Sequence, residues 1–394
     1  MSYLDIINKK KRDWNCESLM DGARAARGHK IPFSSPLMNY ITYGGIPRNK
    51  LTEFYGDFGS GKSSTSVDIC KNAIEIFKQE YEKEVEVLEK KVKEGNKSAK
   101  CELEDLKENG FRKILYIDME HSFDDRWCET IGVNHSDIQI MQPPDVPAEE
   151  ILQTVEELVE TGDVGLIILD SIPSLVPKSE LEKKFGERTV ASLAGLLTVF
   201  CRKITPKLTR YGVTLLVINQ IRENMDNPYV VKTPGGKALP FYASLRILFR
   251  LGQPVDFLGN ELPQNTENPA GYLVNARITK QKSAPFDRKN GSYFLMCQNG
   301  IRPMFDFAKL AVNKYSIIKK SGAWFTLVDP ETGEILEEDN KLVKVNGMAK
   351  VYQYLEDHPD YYNKITRYIL NDINQDTSGD IDTNENSTEE LIDF

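Results

Sequence analysis

The residues whose chemistry can be read first are eight in a row. Gly56-Asp57-Phe58-Gly59-Ser60-Gly61-Lys62-Ser63 has the spacing G-x-x-x-x-G-K-S, that of a loop whose backbone N–H groups wrap phosphate oxygens. Lys62 supplies a positive charge for the β- and γ-phosphates, and the Ser63 hydroxyl suits Mg²⁺. The flanks agree with this reading. Leu51-Thr52-Glu53-Phe54-Tyr55 reads as a short buried strand. From Ser64 to Ile74 the chain reads as a helix, whose N-terminus would face the same anion. The chain is therefore expected to bind a nucleoside triphosphate, with Gly56 to Ser64 as its cradle.

Further candidates stand at the ends of apolar runs. Leu166-Ile167-Ile168-Leu169 leads into Asp170, which can orient Mg²⁺ or simply cap the next helix. Ser171 beside it can help place a water. Ile114-Leu115-Tyr116-Ile117 leads into Asp118, with Glu120 two residues on. Hydrolysis needs a carboxylate that accepts a proton from the attacking water. Glu120 is preferred for that role, and Asp118 is its rival. Trp127 can stack on a base with Asp124 accepting from an exocyclic amine, or it can pack a helix on the sheet; spacing alone does not choose. Thr214 to Asn219 leads into Gln220, placed to sense a γ-phosphate. The polar loop that follows holds Arg222, Lys232 and Lys237 for phosphates and Met225, Tyr229, Val230 and Val231 for bases. A lid over the site is its other reading.

The elements that must carry these residues alternate between strand-like and helix-like stretches. Continuous apolar strands with polar C-terminal ends suit a parallel sheet covered on both faces, with its ligand at those ends. The expected organisation is an N-terminal segment at 1–35, an α/β core at 36–310 and a small domain at 311–370. A disordered acidic tail is expected at 371–394. Within the core, residues 77–110 are dense in Lys and Glu. Tyr81, Val85, Leu88 and Val92, then Ala99, Leu103 and Leu106, recur at helical spacing around Gly95-Asn96, which predicts an inserted helical hairpin.

Composition is that of an ordinary soluble globular protein of 394 residues. Six cysteines without a C-x-x-C pair and only four histidines argue against structural zinc and for reduced thiols in a cytoplasm. No apolar run is long enough to span a bilayer, and no secretory signal is evident. The net charge is −9, and eight of those negative charges lie in 371–394. The rest is one charge from neutral, which leaves room for a local basic surface.

Beyond the phosphate loop, an ordered set of motifs resembles the RecA family of homologous-recombination ATPases, the bacterial type and its phage relatives. The set runs from Phe54-Tyr55-Gly56 through Tyr116-Ile117-Asp118-Met119-Glu120-His121-Ser122-Phe123-Asp124 and Leu169-Asp170-Ser171-Ile172-Pro173-Ser174. It continues in Ile218-Asn219-Gln220-Ile221-Arg222, Gly235-Gly236-Lys237-Ala238-Leu239-Pro240-Phe241, Lys280-Gln281-Lys282 and Ser321-Gly322-Ala323-Trp324. The resemblance implies a P-loop ATPase core with a mostly parallel twisted sheet flanked by helices, plus a small α+β C-terminal domain. It implies ATP and Mg²⁺ as cofactors, and as partners single-stranded DNA, a homologous duplex and further copies in a helical filament. Single-strand-binding and loader proteins would assist.

Residue by residue, the resemblance makes Lys62 and Ser63 the phosphate lysine and magnesium hydroxyl, and Glu120 the group that activates water. Asp124 and Trp127 become the adenine contacts. Gln220 becomes the nucleotide sensor that opens a second DNA loop, with Arg222, Met225, Tyr229, Lys232, Gly235 and Gly236. A first DNA loop falls at 181–192, with Lys183, Lys184 and Arg188. Lys280 and Lys282 would reach the ATP of a neighbouring protomer, and Phe241 would sit at the subunit contact. The short N-terminal segment, the extra hairpin and Pro240 depart from the family pattern and suggest a phage-encoded member. A hexameric helicase of the same core fold and a non-hydrolysing recombination mediator are the alternative readings.

Overall fold

The computed structural model describes residues 30–184, 192–222, 232–338 and 340–378, with side chains described to 373. The chain enters as β1 (Lys30–Ile31), which pairs with β2 (Ile46–Pro47) across the helix α1 (Pro36–Thr42). The Ser35 hydroxyl caps α1 by accepting from the Met38 amide at 3.1 Å, and Pro36 occupies the first turn, where its missing N–H is not needed. Ile31, Phe33 and Ser35 are buried. The end of the expected 1–35 leader is therefore part of the core, because every second side chain from Ile31 to Ser35 points inward.

The fully buried strand β3 (Leu51–Gly56) runs through the phosphate loop into α2 (Lys62–Lys93), a 32-residue helix. The first half of α2 lies on the sheet and the second half projects beyond it. After Glu94 to Asn96 the chain reverses into α3 (Lys97–Asn109), whose start is capped by Asn96. Leu88 and Ala99 are the buried residues of this hairpin, and Lys107 pairs with Glu89 at 2.8 Å across it.

The chain then builds β4 (Lys113–Asp118), α4 (Asp125–Ile131), β5 (Ile138–Met141), α5 (Ala148–Thr161) and β6 (Val164–Asp170). There follow the one-turn helix α6 (Lys178–Leu181), α7 (Ser192–Tyr211), β7 (Thr214–Gln220) and the short α8 (Ala238–Tyr242). The long hairpin β8 (Leu245–Val255) and β9 (Gly271–Gln281), then β10 (Asn290–Met296) and β11 (Gly300–Ile301), complete a nine-stranded sheet. Its order is β11-β10-β9-β8-β3-β7-β6-β4-β5. From β8 to β5 every pairing is parallel, and from β8 to β11 every pairing is antiparallel. The strands of the parallel half are apolar nearly throughout, because α2 covers one face and α5 with α7 the other. Each fully buried leucine, isoleucine or phenylalanine here contributes roughly 1.5–3 kcal/mol.

A smaller unit follows: α9 (Pro303–Asn313), the sheet of β12 (Ile318–Ser321), β13 (Trp324–Leu327) and a third strand at 344–346, then α10 (Met348–Asp357) and α11 (Pro359–Ser378). It packs around Phe305, Tyr352 and Phe325 together with Phe294 and Met296 of β10. The disorder expected from residue 371 does not begin there. Helix α11 continues to Ser378, because Ile365, Ile369 and Ile373 recur every fourth residue and are all buried. Residues 379–394 lie outside the described residues. No helix among the described residues is long and apolar enough to cross a membrane.

Candidate functional site

The parallel strands end side by side. Gly56 of β3 is in register with Gln220 of β7, and Asp118 of β4 with Asp170 of β6. The order β3-β7-β6-β4 therefore lines up the phosphate loop, the amide and the two acids along one edge, where ligands bind in open α/β sheets.

The loop itself is held by close backbone packing. A Cβ on Gly56 would lie 2.2 Å from the Phe249 carbonyl oxygen, so only glycine fits. Gly61 has φ +85° and turns the chain into α2. Lys62 is buried and folds back on the loop, donating to the Asp57 carbonyl at 2.6 Å and to Ser60 Oγ at 3.3 Å. Burial lowers its pKa, while the fields of Asp170, Glu120 and Asp57 act against that. An ammonium satisfied only by a carbonyl and a hydroxyl is ready to exchange them for phosphate oxygens.

Asp170 is a buried carboxylate. Its Oδ2 accepts from Ser63 Oγ at 2.7 Å and from the Tyr116 hydroxyl at 2.7 Å. Burial raises its pKa, the Tyr116 and Ser63 hydrogen bonds lower it, and Glu120 and Asp118 raise it further. Two hard oxygen donors, Ser63 Oγ and the Asp170 carboxylate, thus stand together at the first turn of α2. That donor set fits Mg²⁺ held mainly through phosphate and water. Among the described residues there is no cluster of three or more metal-binding side chains. Tyr116 escaped the sequence reading. Its signal was a hydroxyl on an otherwise apolar strand, which must find a partner when buried.

Glu120 and Asp118 separate cleanly by what they bind. Asp118 is buried and accepts from the Glu120 amide (3.1 Å), the Phe123 amide (2.9 Å) and Gln142 Nε2 (2.9 Å), so it shapes the turn after β4. Glu120 Oε1 accepts from Ser171 Oγ and, at 3.2 Å, from Gln220 Nε2. The strand ends of β4, β6 and β7 thus place carboxylate, hydroxyl and amide together.

Asp124 caps α4, its Oδ1 accepting from the Arg126 and Trp127 amides at 2.9 and 3.2 Å. The Trp127 indole is partly buried against the core and donates to Ser64 Oγ at 3.0 Å. Trp127 therefore sits beside the first turn of α2, and Asp124 holds the turn that carries it. Phe58, at the tip of the loop, is 93 % exposed.

The remaining expected residues lie elsewhere. Lys183 and Lys184 are exposed just after α6. Arg188, Met225 and Tyr229 fall outside the described residues. The Arg222 amide donates to the Lys232 carbonyl at 2.8 Å, which closes the neck of the loop that Gln220 opens. Gly235 (φ +86°) and Gly236 (φ +75°) lay that neck on α7; a Cβ on Gly235 would meet Leu197 Cδ1 at 2.4 Å.

Lys280 and Lys282 do not reach the phosphate loop of their own chain. Register places Lys280 beside Arg246, which is itself beside Glu53, three residues before Gly56. That is about 10 Å back along the strand and two strands across. Lys280 Nζ donates to the Pro240 and Phe241 carbonyls, both at 2.6 Å, and Lys282 Nζ to that of Phe241 at 3.1 Å. Phe241 is 69 % exposed, with both ammonium groups within 6 Å of its ring. Burial, then Lys282 and Arg246, push the Lys280 pKa down to about 8.

Comparisons with known proteins point to one family. The family model described as the RecA N-terminal domain matches residues 100–302, starting inside α3. Protein RecA of Porphyromonas gingivalis is 30% identical over 307 residues, covering 77% of this chain and 76% of the relative. Protein RecA of Thermus aquaticus is 29% identical, covering 83% and 80%, and that of Aquifex aeolicus is 29% identical, covering 86% and 82%.

Proposed function

The chain belongs to the RecA family, and from that premise we propose that it is an ATP-dependent recombinase. It assembles as a filament on single-stranded DNA, pairs that strand with a homologous duplex, and hydrolyses ATP faster when DNA is bound. The observation that carries this reading is the join at Gln220. Its side chain touches Glu120, and its backbone leads directly into the loop whose neck is closed by Arg222 and Lys232.

In this reading Lys62 leaves the Asp57 carbonyl for the β- and γ-phosphates, and the amides of Gly59 to Ser63 take the remaining oxygens. Ser63 and Asp170 would hold Mg²⁺, which when bound offsets the negative charge on the phosphates. Trp127 and Asp124 take the adenine end. Glu120, oriented by Ser171, accepts the proton of the attacking water. Gln220 exchanges Glu120 for the γ-phosphate, and that motion is passed to the loop that meets DNA.

Lys280 and Lys282, remote from their own phosphate loop, act on the nucleotide of the adjoining protomer. An ammonium already destabilised by burial and by neighbouring cations gains from meeting a polyanion. Phe241, exposed between them and the solvent, packs in that contact.

The test is ATP turnover with and without single-stranded DNA, with Lys62→Ala as the blank. Stimulation that requires Lys62 supports the proposal. Turnover indifferent to DNA refutes it, and nucleotide binding with no turnover at all favours a mediator that keeps the fold without the motor.

A further inference from the structure

One buried ionic group takes no part in the site described above. Glu53 lies in the middle of β3, a strand buried along its whole length, and is itself 0 % exposed. A carboxylate there is a poor choice for stability alone, because apolar residues of similar volume commonly do as well as a buried ion pair. Both of its oxygens are engaged. Oε1 accepts from Asn219 Nδ2 at 3.0 Å, and Oε2 accepts from Arg246 Nε.

Each partner leads to a different functional element. Asn219 Nδ2 also donates to the Pro234 carbonyl at 3.2 Å, and Asn219 Oδ1 accepts from the Gln220 amide at 2.9 Å. The one asparagine therefore holds both the sensor and the neck of the polar loop. Arg246 stacks its guanidinium over the Tyr55 ring at 4.5 Å and pairs in register with Lys280. The Lys280 ammonium rests on the last carbonyls of α8, a helix that begins four residues after Pro234. A polar line thus crosses β7, β3, β8 and β9, and the backbone from Pro234 to Phe241 closes it into a circuit.

We propose that Glu53 is a positioning residue that couples the loop after Gln220 to the interface cations Lys280 and Lys282. The inference rests on the recombinase reading above and specifies how that site is regulated. A buried network of this kind must stay fully paired, so it moves between discrete arrangements rather than yielding gradually. Displacing Asn219 with the loop neck would force Glu53 and Arg246 to re-pair, and Lys280 would shift with the strand pair. DNA in the loop would in this way set the cations that a neighbouring protomer offers to ATP.

The test compares E53Q, the double variant E53Q/R246M and N219S with the native chain. The readouts are thermal unfolding, nucleotide-analogue binding, unstimulated turnover and the ratio of DNA-stimulated to unstimulated turnover. A merely structural ion pair would be rescued when both charges are replaced, so E53Q/R246M separates the roles. The expected result is a double variant that folds, binds nucleotide and turns over without DNA as the native chain does, while its stimulation ratio falls about tenfold. N219S, which keeps the Glu53–Arg246 ion pair and cuts the links from Asn219 to Glu53 and Pro234, should lose stimulation in the same way. It decides the matter if the Glu53 variants do not fold. An unchanged ratio in E53Q/R246M or N219S, with a stimulated native chain, overturns this inference alone. A native chain without stimulation overturns it together with the reading beneath it.

Discussion

Removing one hydroxyl, in Tyr116→Phe, tests how the Asp170 carboxylate is kept charged. Tyr116 is buried, its ring stacks edge-on against Phe123 at 5.0 Å, and its hydroxyl donates to Asp170 Oδ2 at 2.7 Å. Phenylalanine keeps the ring packing and deletes only the donor. A hydrogen bond to a charged group is worth about 1.5–3 kcal/mol. The lower end applies, because Asp170 retains the Ser63 donor at 2.7 Å. About 1.4 kcal/mol corresponds to one pKa unit.

The direction follows from the causes. Burial already raises the Asp170 pKa, and the Tyr116 and Ser63 hydrogen bonds oppose that rise. Losing one of them lifts the pKa further, so the carboxyl stays protonated to higher pH. Mg²⁺-dependent turnover should then lose its acid side about one pH unit earlier as pH falls. For stability the sign is opposite to that of an ordinary carboxylate. A raised folded pKa means the folded state binds the extra proton, so stability falls as pH rises from the unfolded pKa through the folded one. In the variant that window should reach about one unit higher. The assay is a pH profile of turnover at saturating ATP, paired with thermal unfolding of the nucleotide-free protein. A variant that folds normally with an unmoved acid limb would refute the claim that Tyr116 tunes Asp170.

Three further outcomes are expected. Glu120→Gln should lower turnover about 10²–10⁴-fold while nucleotide-analogue binding persists, since it removes the proton acceptor and keeps a group of the same shape; equal loss of binding would count against its role as base. Gly235→Ala puts a Cβ 2.4 Å from Leu197 Cδ1 at φ +86°. It should cost about 1–3 kcal/mol and abolish DNA stimulation, as read by denaturant unfolding and turnover. Phe241→Ala should change stability by less than about 0.5 kcal/mol because the ring is exposed. It should nevertheless lower DNA-stimulated turnover and filament length by electron microscopy.

The parts of the site legible in the sequence were those carried by contiguous residues. The phosphate loop announces itself because strand, turn, lysine and hydroxyl follow one another without a gap. The ends of β4, β6 and β7 were legible because a parallel strand buried on both faces is an unbroken apolar run, and its first polar residue marks the edge. Sequence could rank Asp118 and Glu120 but not separate their surroundings. They differ in their donors: Asp118 takes two amides of its own turn with Gln142, whereas both donors to Glu120, Ser171 and Gln220, stand on other elements.

Contacts across strands were out of reach for the same reason. The Tyr116–Asp170 and Asn219–Glu53–Arg246 links join residues 54 to 193 positions apart. Glu53, a charged residue in a strand-like run, was the visible hint. At the ends of the chain, composition misled. Asn and Asp residues after 370 masked the fourfold spacing of Ile365, Ile369 and Ile373, and the basic leader masked the inward alternation of Ile31, Phe33 and Ser35.

The central claim is that each ATP site is completed by the next protomer, and mixing two inactive variants on single-stranded DNA tests it most directly. Lys62→Ala has intact interface cations and no working phosphate loop, whereas Lys280→Ala/Lys282→Ala has the reverse. In a head-to-tail assembly of equal parts, about a quarter of the contacts bring a sound loop to sound cations. The account predicts that each variant alone is silent in DNA-stimulated turnover and that the mixture recovers about a quarter of native activity. A mixture as silent as its parts, or a lysine double variant active by itself, would contradict it.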